Sequence, residues 1–241
     1  TDWGQWVLAK HTETGSEFTL KAVAKQTAAE RNMAARVMQE SRLAAKIVES
    51  NRFVPNALQT MVSPAYLFTI YKTRVATGLH EALADYGPFD EATALFYAAN
   101  IFLGIEHLHA IDIAYRNVNP ESIMLGHDGY AILMDMSFAK EVDHGRLYDL
   151  CGLTPYLAPE QVSGMGHAHA VDYWALGILI YEMLMGVPPF SDPDGDDMKT
   201  YQNITHGALS ACYPPGAKAS AEARALIQGL CTVKVAYRLG Y

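Results

Sequence analysis

Alternating apolar and polar residues dominate the first quarter of the chain and predict β-strands. The segments WVLAK (6–10) and FTLKAVAK (18–25) flank a turn marked by Thr14 and Gly15, which indicates a hairpin. YLFTIY (66–71) carries the same strand signal. The N-terminal part of the chain is therefore expected to form a small antiparallel sheet.

An amphipathic helix is predicted over 28–49, where apolar residues recur at spacings of four and three. Its inward face is formed by Met33, Val37, Ala44 and Ile47. Glu40 falls on the same face, where a carboxylate needs a partner of opposite charge. The nearest preceding candidate on a strand is Lys21.

The pattern becomes helical after a polar connector at 72–78. EATALFYAANIFLGIEHLHA (91–110) predicts a long helix, and GYAILMDMSFAK (129–140) predicts a short strand that runs into a loop. The last third of the chain consists of helical patterns separated by Gly and Pro turns. This order predicts an α+β fold with a small sheet lobe (1–71), a hinge (72–78) and a larger helical lobe (79–241).

Composition narrows the class of protein and of partner. The chain has 241 residues, half of them apolar, so it can bury a sizeable core. A net charge of -8 and a pI near 5.5 leave no basic face for a phosphate backbone, so no nucleic-acid partner is expected. The 3 cysteines lack metal-ligand spacing and fit a reducing intracellular compartment, which predicts a cytoplasmic location.

The most apolar run, WALGILIYEMLMG (174–186), is interpreted as a buried core helix and not as a membrane span. It is shorter than the roughly 20 residues that cross a bilayer. The chain begins at Thr1 instead of Met, so we expect it to be part of a longer protein. Charged residues make up 18%, which reflects either a bias toward Ala and Met or a surface partly covered by partners.

The loop YRNVNPES (115–122) is one of several motifs that follow one another along the chain. The others are FTLK ending at Lys21, Glu40 in the predicted helix, DMS (135–137), CGLTPYLAPE (151–160), VDYWALGILIYEMLMGVPPF (171–190) and RLG (238–240). In this combination the chain resembles the protein kinases, and most closely the cyclic-nucleotide-dependent members of the AGC group. The resemblance implies a bilobal kinase fold whose first strand is missing from this sequence.

Four retained residues have nucleotide-binding roles in the family that the chain resembles. Lys21 would hold the α and β phosphates and pair with Glu40, and Asp135 would ligate magnesium. Gly4 is what remains of the glycine-rich loop. The alternative is that the three charged residues are a retained ion pair and a loop-capping carboxylate that only stabilise the fold.

The loop YRNVNPES (115–122) departs from the family pattern at the three positions that carry the chemistry. Asn117 stands where an Asp would accept the proton of the substrate hydroxyl, and an amide is not a usable base. Asn119 replaces a Lys that would neutralise the transferring phosphate, and Ser122 replaces an Asn that would bind the second metal. These replacements predict that phosphoryl transfer is lost.

The nucleotide pocket is altered as well. Thr1 replaces a glycine of the phosphate-binding loop. Trp6 stands where a valine would cover adenine, and Tyr71 and Arg74 are expected to obstruct the pocket further. No cofactor is therefore expected. ATP with Mg²⁺ remains the alternative, in which Trp6 swings out of the pocket.

Asp149 matches the family's activation-loop phosphothreonine if one extra residue is allowed in VDHGRL (142–147). A carboxylate there would pair constitutively with Arg116 and with either Lys140 or Arg36. The alternative is a solvated loop aspartate.

Further positions bear on peptide docking. CGLTPY differs from the family's CGTPEY, so either Leu153 replaces a threonine or a leucine was inserted before Thr154. Glu121 and Glu182 match acidic positions that receive substrate arginines, so a basic pseudosubstrate-like peptide could dock there. Gly78 replaces another such acid, which would weaken the docking.

The family's architectural residues are retained. Glu160 would pair with Arg238, and Asp172 would anchor the backbone of the quoted loop. The architectural residues are retained while the residues for phosphoryl transfer are replaced. This combination predicts a pseudokinase that acts as a scaffold or allosteric module, with protein partners in a larger chain or complex. The alternatives are a weak Ser/Thr kinase with a displaced base such as Asp112, and a nucleotide-binding switch without turnover.

Overall fold

The computed structural model of the protein describes residues 4–47, 51–142, 145–206 and 209–241. Its strands are β1 (Gln5–Lys10), β2 (Glu17–Ala24), β3 (Ala57–Val62), β4 (Tyr66–Tyr71), β5 (Val75–Gly78), β6 (Ile113–Ala114), β7 (Ile123–Gly126), β8 (Ala131–Leu133) and β9 (Lys140–Glu141). Its α-helices are α1 (Lys25–Glu30), α2 (Ala34–Lys46), α3 (Leu79–Tyr86), α4 (Glu91–His109), α5 (Pro159–Val162), α6 (Ala170–Met185), α7 (Asp197–His206) and α8 (Ala221–Leu230). The fold is α+β, as the order of patterns predicted.

Four strands form an antiparallel sheet in the order β1-β2-β4-β3. The predicted strands at 6–10 and 66–71 are confirmed. The strand predicted at 18–25 ends one residue earlier, because Lys25 begins α1. The register between β1 and β2 places Trp6 directly opposite Lys21.

The single helix predicted over 28–49 is wrong, because two helices occupy the segment. Asn32 interrupts it with φ 53°, a left-handed conformation that Asn tolerates better than most residues. The N–H of Met33 donates to the carbonyl of Ala28 at 2.7 Å and closes the end of α1. Three of the four predicted inward positions, in α2 and at its C-terminal end, are buried, namely Val37, Ala44 and Ile47. Positions 48 and 49 lie outside the described residues.

The connector at 72–78 is irregular only in its first half. Its second half forms β5, which pairs with β7 in a three-stranded sheet of order β5-β7-β8. The sequence predicted no strand in this polar connector, but hydrogen bonds to a strand more than forty positions later hold Val75–Gly78 extended. Four residues of mixed polarity give too short a pattern to indicate a strand.

Helices α4 and α6 form the centre of the main hydrophobic core. The long helix predicted at 91–110 is confirmed, and Asp90 caps it by accepting the N–H of Thr93 at 2.7 Å. The predicted core helix at 174–186 corresponds to α6, which is buried on nearly all sides. No helix in the described part of the chain is long and apolar enough to cross a membrane.

Candidate functional site

Three charged side chains meet between the four-stranded sheet and the helical part of the chain. Lys21 comes from β2, Glu40 from α2, and Asp135 follows β8. The ammonium of Lys21 lies 2.6 Å from Glu40 Oε1 and 2.8 Å from Asp135 Oδ1. All three side chains are buried, so one cation faces two carboxylates away from solvent.

Lys21, Glu40 and Asp135 form a charged triad. Its excess of carboxylate determines which of the three groups are ionised. Burial, together with the charge of Asp135, raises the pKa of Glu40 to about 7 despite the neighbouring Lys21. Burial also opposes ionisation of Asp135, but Lys21 and the hydrogen bonds from Ser137 lower its pKa. For Lys21, burial favours the neutral amine, yet the two carboxylates raise its pKa. The triad is therefore held by an ionised Lys21–Asp135 pair.

The loop between β6 and β7 is closed by its own side chains. Asn119 Nδ2 donates to Asn117 Oδ1 at 2.8 Å and to the carbonyl of Asn117 at 3.0 Å. Asn119 Oδ1 accepts the N–H groups of Glu121 at 3.0 Å and Ser122 at 3.2 Å. The hydroxyl of Ser122 donates to the carbonyls of Asn117 and Asn119. All three replaced side chains are buried and bound to the loop itself.

Asp172 of α6 fixes the start of this loop. Its carboxylate accepts the backbone N–H groups of Tyr115 at 2.8 Å and Arg116 at 2.6 Å. His109 Nε2 lies 2.8 Å from the same carboxylate. Arg116 has φ 60°, which is unfavourable for a residue with a side chain, and the bond to Asp172 holds it in that conformation.

Two aromatic side chains, Trp6 and Tyr71, pack beside Lys21 at the place where the sequence predicts an obstructed adenine pocket. The rings of Trp6 and Tyr71 lie 5.8 Å apart, and the ammonium of Lys21 lies 5.4 Å from the Trp6 ring centroid. Tyr71 packs in one cluster with Ile132 and Met134, flanked by Trp6, Ala57, Val75 and Met124.

Few of the described side chains at the expected phosphate and metal positions are available to bind either ligand. Gly4 is buried, and a Cβ added there would lie 3.0 Å from Lys21 Cε, so this glycine allows close packing on the lysine. Asp135 Oδ2 is buried without a hydrogen-bond partner among the described residues, which leaves one oxygen for a metal. Ser122, which was predicted to replace the second metal ligand of the family, is turned into its own loop. In the described ranges, no group of three or more His, Cys, Asp or Glu side chains could hold a metal ion. Thr1, predicted to replace a glycine of the phosphate-binding loop, lies outside the described ranges.

The sequence predicted that Arg74 obstructs the pocket beside Trp6, but its side chain lies elsewhere. Its side chain is half exposed, pairs with Glu17 Oε2 at 2.7 Å, and lines a separate cleft together with Arg52 and His127. The guanidinium is long and flexible enough to reach solvent and a carboxylate, which is favoured over burial against aromatic rings.

Asp149 contacts the loop at the position that the sequence predicted. Its Oδ1 accepts from Arg116 at 2.9 Å and from Lys140 at 3.3 Å. Partial burial favours the protonated form of Asp149 and would raise its pKa. Arg116 and Lys140 outweigh this effect and hold the pKa of Asp149 well below its usual range. Of the two alternatives for the second cation, Lys140 makes the contact, whereas Arg36 lies over the ring of Phe138 at 4.9 Å. Two residues of VDHGRL, 143 and 144, lie outside the described part of the chain.

The acidic positions expected to receive a basic peptide are partly engaged. The hydroxyl of Tyr156 donates to Glu182 Oε2. Burial raises the pKa of Glu182, and the charge of Glu121 adds to this effect. Leu153, whose register the sequence left open, is exposed.

Glu160 and Arg238 form a buried, two-pronged ion pair. Arg238 Nη1 lies 2.6 Å from Glu160 Oε1, and Nη2 lies 2.9 Å from Oε2. Arg238 also donates to the carbonyl of Ala170 at 2.9 Å. The pair therefore joins the end of the activation segment to α6 and to the C-terminal end of the chain.

Sequence reasoning missed several partners of these residues. Tyr156 and His109 carry no pattern that distinguishes them from core residues. His167 Nε2 lies 3.3 Å from Arg116 Nη1, and only its place a few positions after the APE motif hints at this contact. Asp112, the candidate displaced base, is exposed in the turn after α4, where its carbonyl accepts the N–H of Val142 at 2.8 Å.

Comparison with known proteins agrees with this geometry. Residues 2–241 match the family described as Protein kinase domain. The chain is 33% identical over 231 residues, 95% of its length, to a cGMP-dependent protein kinase, isozyme 2, of Drosophila melanogaster. It is 32% identical over 239 residues to cGMP-dependent protein kinase 2 of Mus musculus, covering 99% of the chain. It is 33% identical over 238 residues to the cAMP-dependent protein kinase catalytic subunit of Dictyostelium discoideum, covering 99% of the chain. The matched regions are 24%, 31% and 35% of these relatives' lengths.

Proposed function

This chain belongs to the protein kinase domain family, and from that premise we propose that it is a member without phosphoryl-transfer activity. Its role is that of a structural scaffold or an allosteric interaction module. The observation that carries the proposal is the closed loop in which Asn119 binds Asn117 and Ser122 binds the backbone.

The chemistry of that loop supports inactivity. A general base contributes about 10² to 10⁴ in rate, and the side-chain amide of Asn117 supplies none. The amide of Asn119 carries no positive charge for a transferring phosphate. The hydroxyl of Ser122 is committed to two carbonyls instead of a metal. Losses at groups that act together do not multiply, yet one of them is already crippling.

The nucleotide cleft supports the same proposal. The kinase reaction needs ATP held with its phosphates between Lys21 and magnesium at Asp135. Here the Trp6 indole packs against Tyr71 and lies over Lys21, so the chain fills the cleft with its own side chains. We therefore propose that the domain works without a bound nucleotide or metal.

The retained contacts support a role for the shape of the domain. Asp172 holds the loop, Glu160 binds Arg238, and Asp149 takes the place of a phosphate at Arg116. Each of these contacts stabilises an arrangement that active kinases use, and none needs catalysis. The partner that this shape serves is proposed to be a protein, and Glu121 and Glu182 offer acidic groups to a basic segment of it.

A phosphotransfer assay tests the proposal. The purified chain is incubated with Mg²⁺ and γ-labelled ATP, alone and with a basic substrate protein, beside a Lys21→Ala control. We expect no label above that control. Label that appears in the native chain and is abolished by Lys21→Ala would overturn the proposal. A variant with Asn117→Asp, Asn119→Lys, Ser122→Asn and Trp6→Val provides the positive comparison.

A further inference from the structure

A cleft of about 850 Å³ opens beside the connector, next to the turn between β7 and β8. The described residues that line it and carry side-chain hydrogen-bond donors are Arg52, Lys72, Arg74, His127, Asn51, Asn56 and Thr73. Its volume falls in the range of about 300 to 1,000 Å³ that is usual for small-molecule sites. None of the loop, triad or activation-segment residues described above lines this cleft.

The charge of the cleft is opposite to that of the chain. Three permanent cations, Arg52, Lys72 and Arg74, line it against one carboxylate, Asp128. The chain as a whole carries a formal net charge of -8. A local reversal of sign within an acidic protein favours a negatively charged ligand over a cation or a neutral molecule.

The three cations are only partly neutralised by their surroundings. Arg74 pairs with Glu17 but remains 49% exposed. The guanidinium of Arg52 lies over the face of Tyr130 at 4.3 Å, which leaves the N–H groups along its edge free to bind an anion. Lys72 is exposed and has no ion-pair partner within the described ranges.

The remaining polar groups suit the same ligand. His127 and the amides of Asn51 and Asn56 add further donors to the lining of the cleft. Asp128 is the exception, and its Oδ1 lies 3.5 Å from the N–H of Tyr130. The floor includes the buried residues Pro55 and Ile132, which give the cleft a fixed base.

We propose that this cleft is a binding site for a small anion that carries several phosphate groups. Guanidinium groups bind phosphate through two parallel hydrogen bonds, and an ammonium adds a mobile point charge. Several cations around one concavity match clustered phosphates better than a single charge. The site does not depend on the nucleotide cleft or on the proposed loss of catalysis.

The proposal has a consequence for experiments with nucleotides. ATP presents a chain of three phosphates, so it would bind this cleft through its phosphates without regard to the adenine base. Stabilisation of the protein by ATP would then be shared by tripolyphosphate. It would also survive Trp6→Val, because Trp6 does not line this cleft.

Calorimetric titrations of the whole chain test the site, with tripolyphosphate and inositol hexakisphosphate as probes. Sodium sulfate at matched ionic strength measures nonspecific screening. The variants are Lys72→Glu and Lys72→Ala, with Lys218→Glu, an exposed lysine elsewhere, as the matched control. Lys72 is exposed, so both substitutions leave the core unchanged, and thermal unfolding verifies this.

We expect both Lys72 variants to bind the probes at least tenfold more weakly, and Lys218→Glu to bind them like the native chain. Tighter binding of tripolyphosphate identifies a linear polyphosphate as the preferred ligand, and tighter binding of inositol hexakisphosphate identifies a ring-borne one. Equal loss of affinity in the Lys72 and Lys218 variants would overturn the proposal, as would probe binding no stronger than that of sulfate.

Discussion

The side-chain amide of Asn119 donates a hydrogen bond to the side-chain oxygen of Asn117 at 2.8 Å. In the family these two positions carry a cation and an anion, and here they carry two neutral amides. This hydrogen bond between two neutral side chains stabilises the conformation of the loop. The other face of the Asn119 amide holds the N–H groups of Glu121 and Ser122.

Replacing Asn119 is therefore expected to destabilise the fold. Asn119→Ala leaves the buried side-chain oxygen of Asn117 and the N–H of Glu121 without a partner, whereas the N–H of Ser122 keeps its bond to the carbonyl of Asn119. The expected loss is about 2 to 3 kcal/mol in the free energy of unfolding. Urea denaturation measures it, with the exposed Gln202→Ala as the control. A loss no larger than the control's would show that the loop is not held by this amide.

Lys21 is expected to act as a structural cation. Lys21→Ala leaves the carboxylates of Glu40 and Asp135 buried together without a counter-charge, which costs about 3 to 5 kcal/mol. Lys10→Ala, on the exposed face of β1, is expected to change stability by less than about 0.5 kcal/mol.

The same charge argument predicts a partial rescue of Lys21→Ala. Adding Glu40→Gln removes one of the two carboxylates that the lysine neutralises. The double variant is expected to be more stable than Lys21→Ala alone. If adding Glu40→Gln instead lowers the stability further, the result would contradict the idea that Lys21 neutralises an excess of carboxylate in the triad.

Asp149 is expected to give the fold a pH dependence in acid. Its pKa is lowered in the folded chain, whereas an unfolded Asp titrates near about 3.9. The stability that it adds is therefore complete above about pH 5 and is lost as the pH falls through about 3.9 and below. Because its side chain is 42% exposed, we expect a contribution of about 1 kcal/mol.

Unfolding of the native chain and of Asp149→Asn at a series of pH values checks this assignment. The difference between the two should be constant above about pH 5 and should shrink toward pH 3. Asp194→Asn, a more exposed loop aspartate, is the control and should show a smaller difference. A difference for Asp149 that grows on acidification would contradict the pairing with Arg116.

The ion pair of Glu160 and Arg238 is expected to be sensitive to geometry as well as to charge. Glu160→Ala leaves a buried guanidinium unpaired and should cost about 3 to 5 kcal/mol. Arg238→Lys keeps the charge but cannot make two parallel hydrogen bonds, so a loss of about 2 kcal/mol is expected. Thermal unfolding against Glu13→Ala, an exposed turn residue, measures both. Full stability in Arg238→Lys would show that charge alone matters.

Patterns in the sequence were sufficient to predict the family, the strands β1, β2, β4 and β8, and the contact between Lys21 and Glu40. Each of these depends on a motif or on a period that extends over many residues. The break at Asn32 was missed because apolar spacing continues through it, while the backbone conformation of one residue ends the helix. Strand β5 was missed because its four residues are ordered by pairing with a distant strand.

Side-chain direction was the other feature that the sequence could not supply. Arg74 occupies the expected place in the connector, but its guanidinium turns to Glu17. Tyr156 reaches Glu182 across the fold, and no local pattern encodes that contact. Trp6 and Tyr71, which the resemblance assigned to one pocket, have ring centroids 5.8 Å apart.

The proposal that side chains fill the nucleotide cleft is tested most directly by thermal unfolding with Mg²⁺·ATP, with tripolyphosphate as the reference ligand. A ligand at about 100 times its Kd adds about 2.7 kcal/mol of stability. We predict that Mg²⁺·ATP stabilises the native chain no more than tripolyphosphate does, and that Trp6→Val gains an additional stabilisation specific to Mg²⁺·ATP. A larger stabilisation of the native chain by Mg²⁺·ATP than by tripolyphosphate would contradict the account, because adenine would then enter the cleft that Trp6 and Tyr71 occupy.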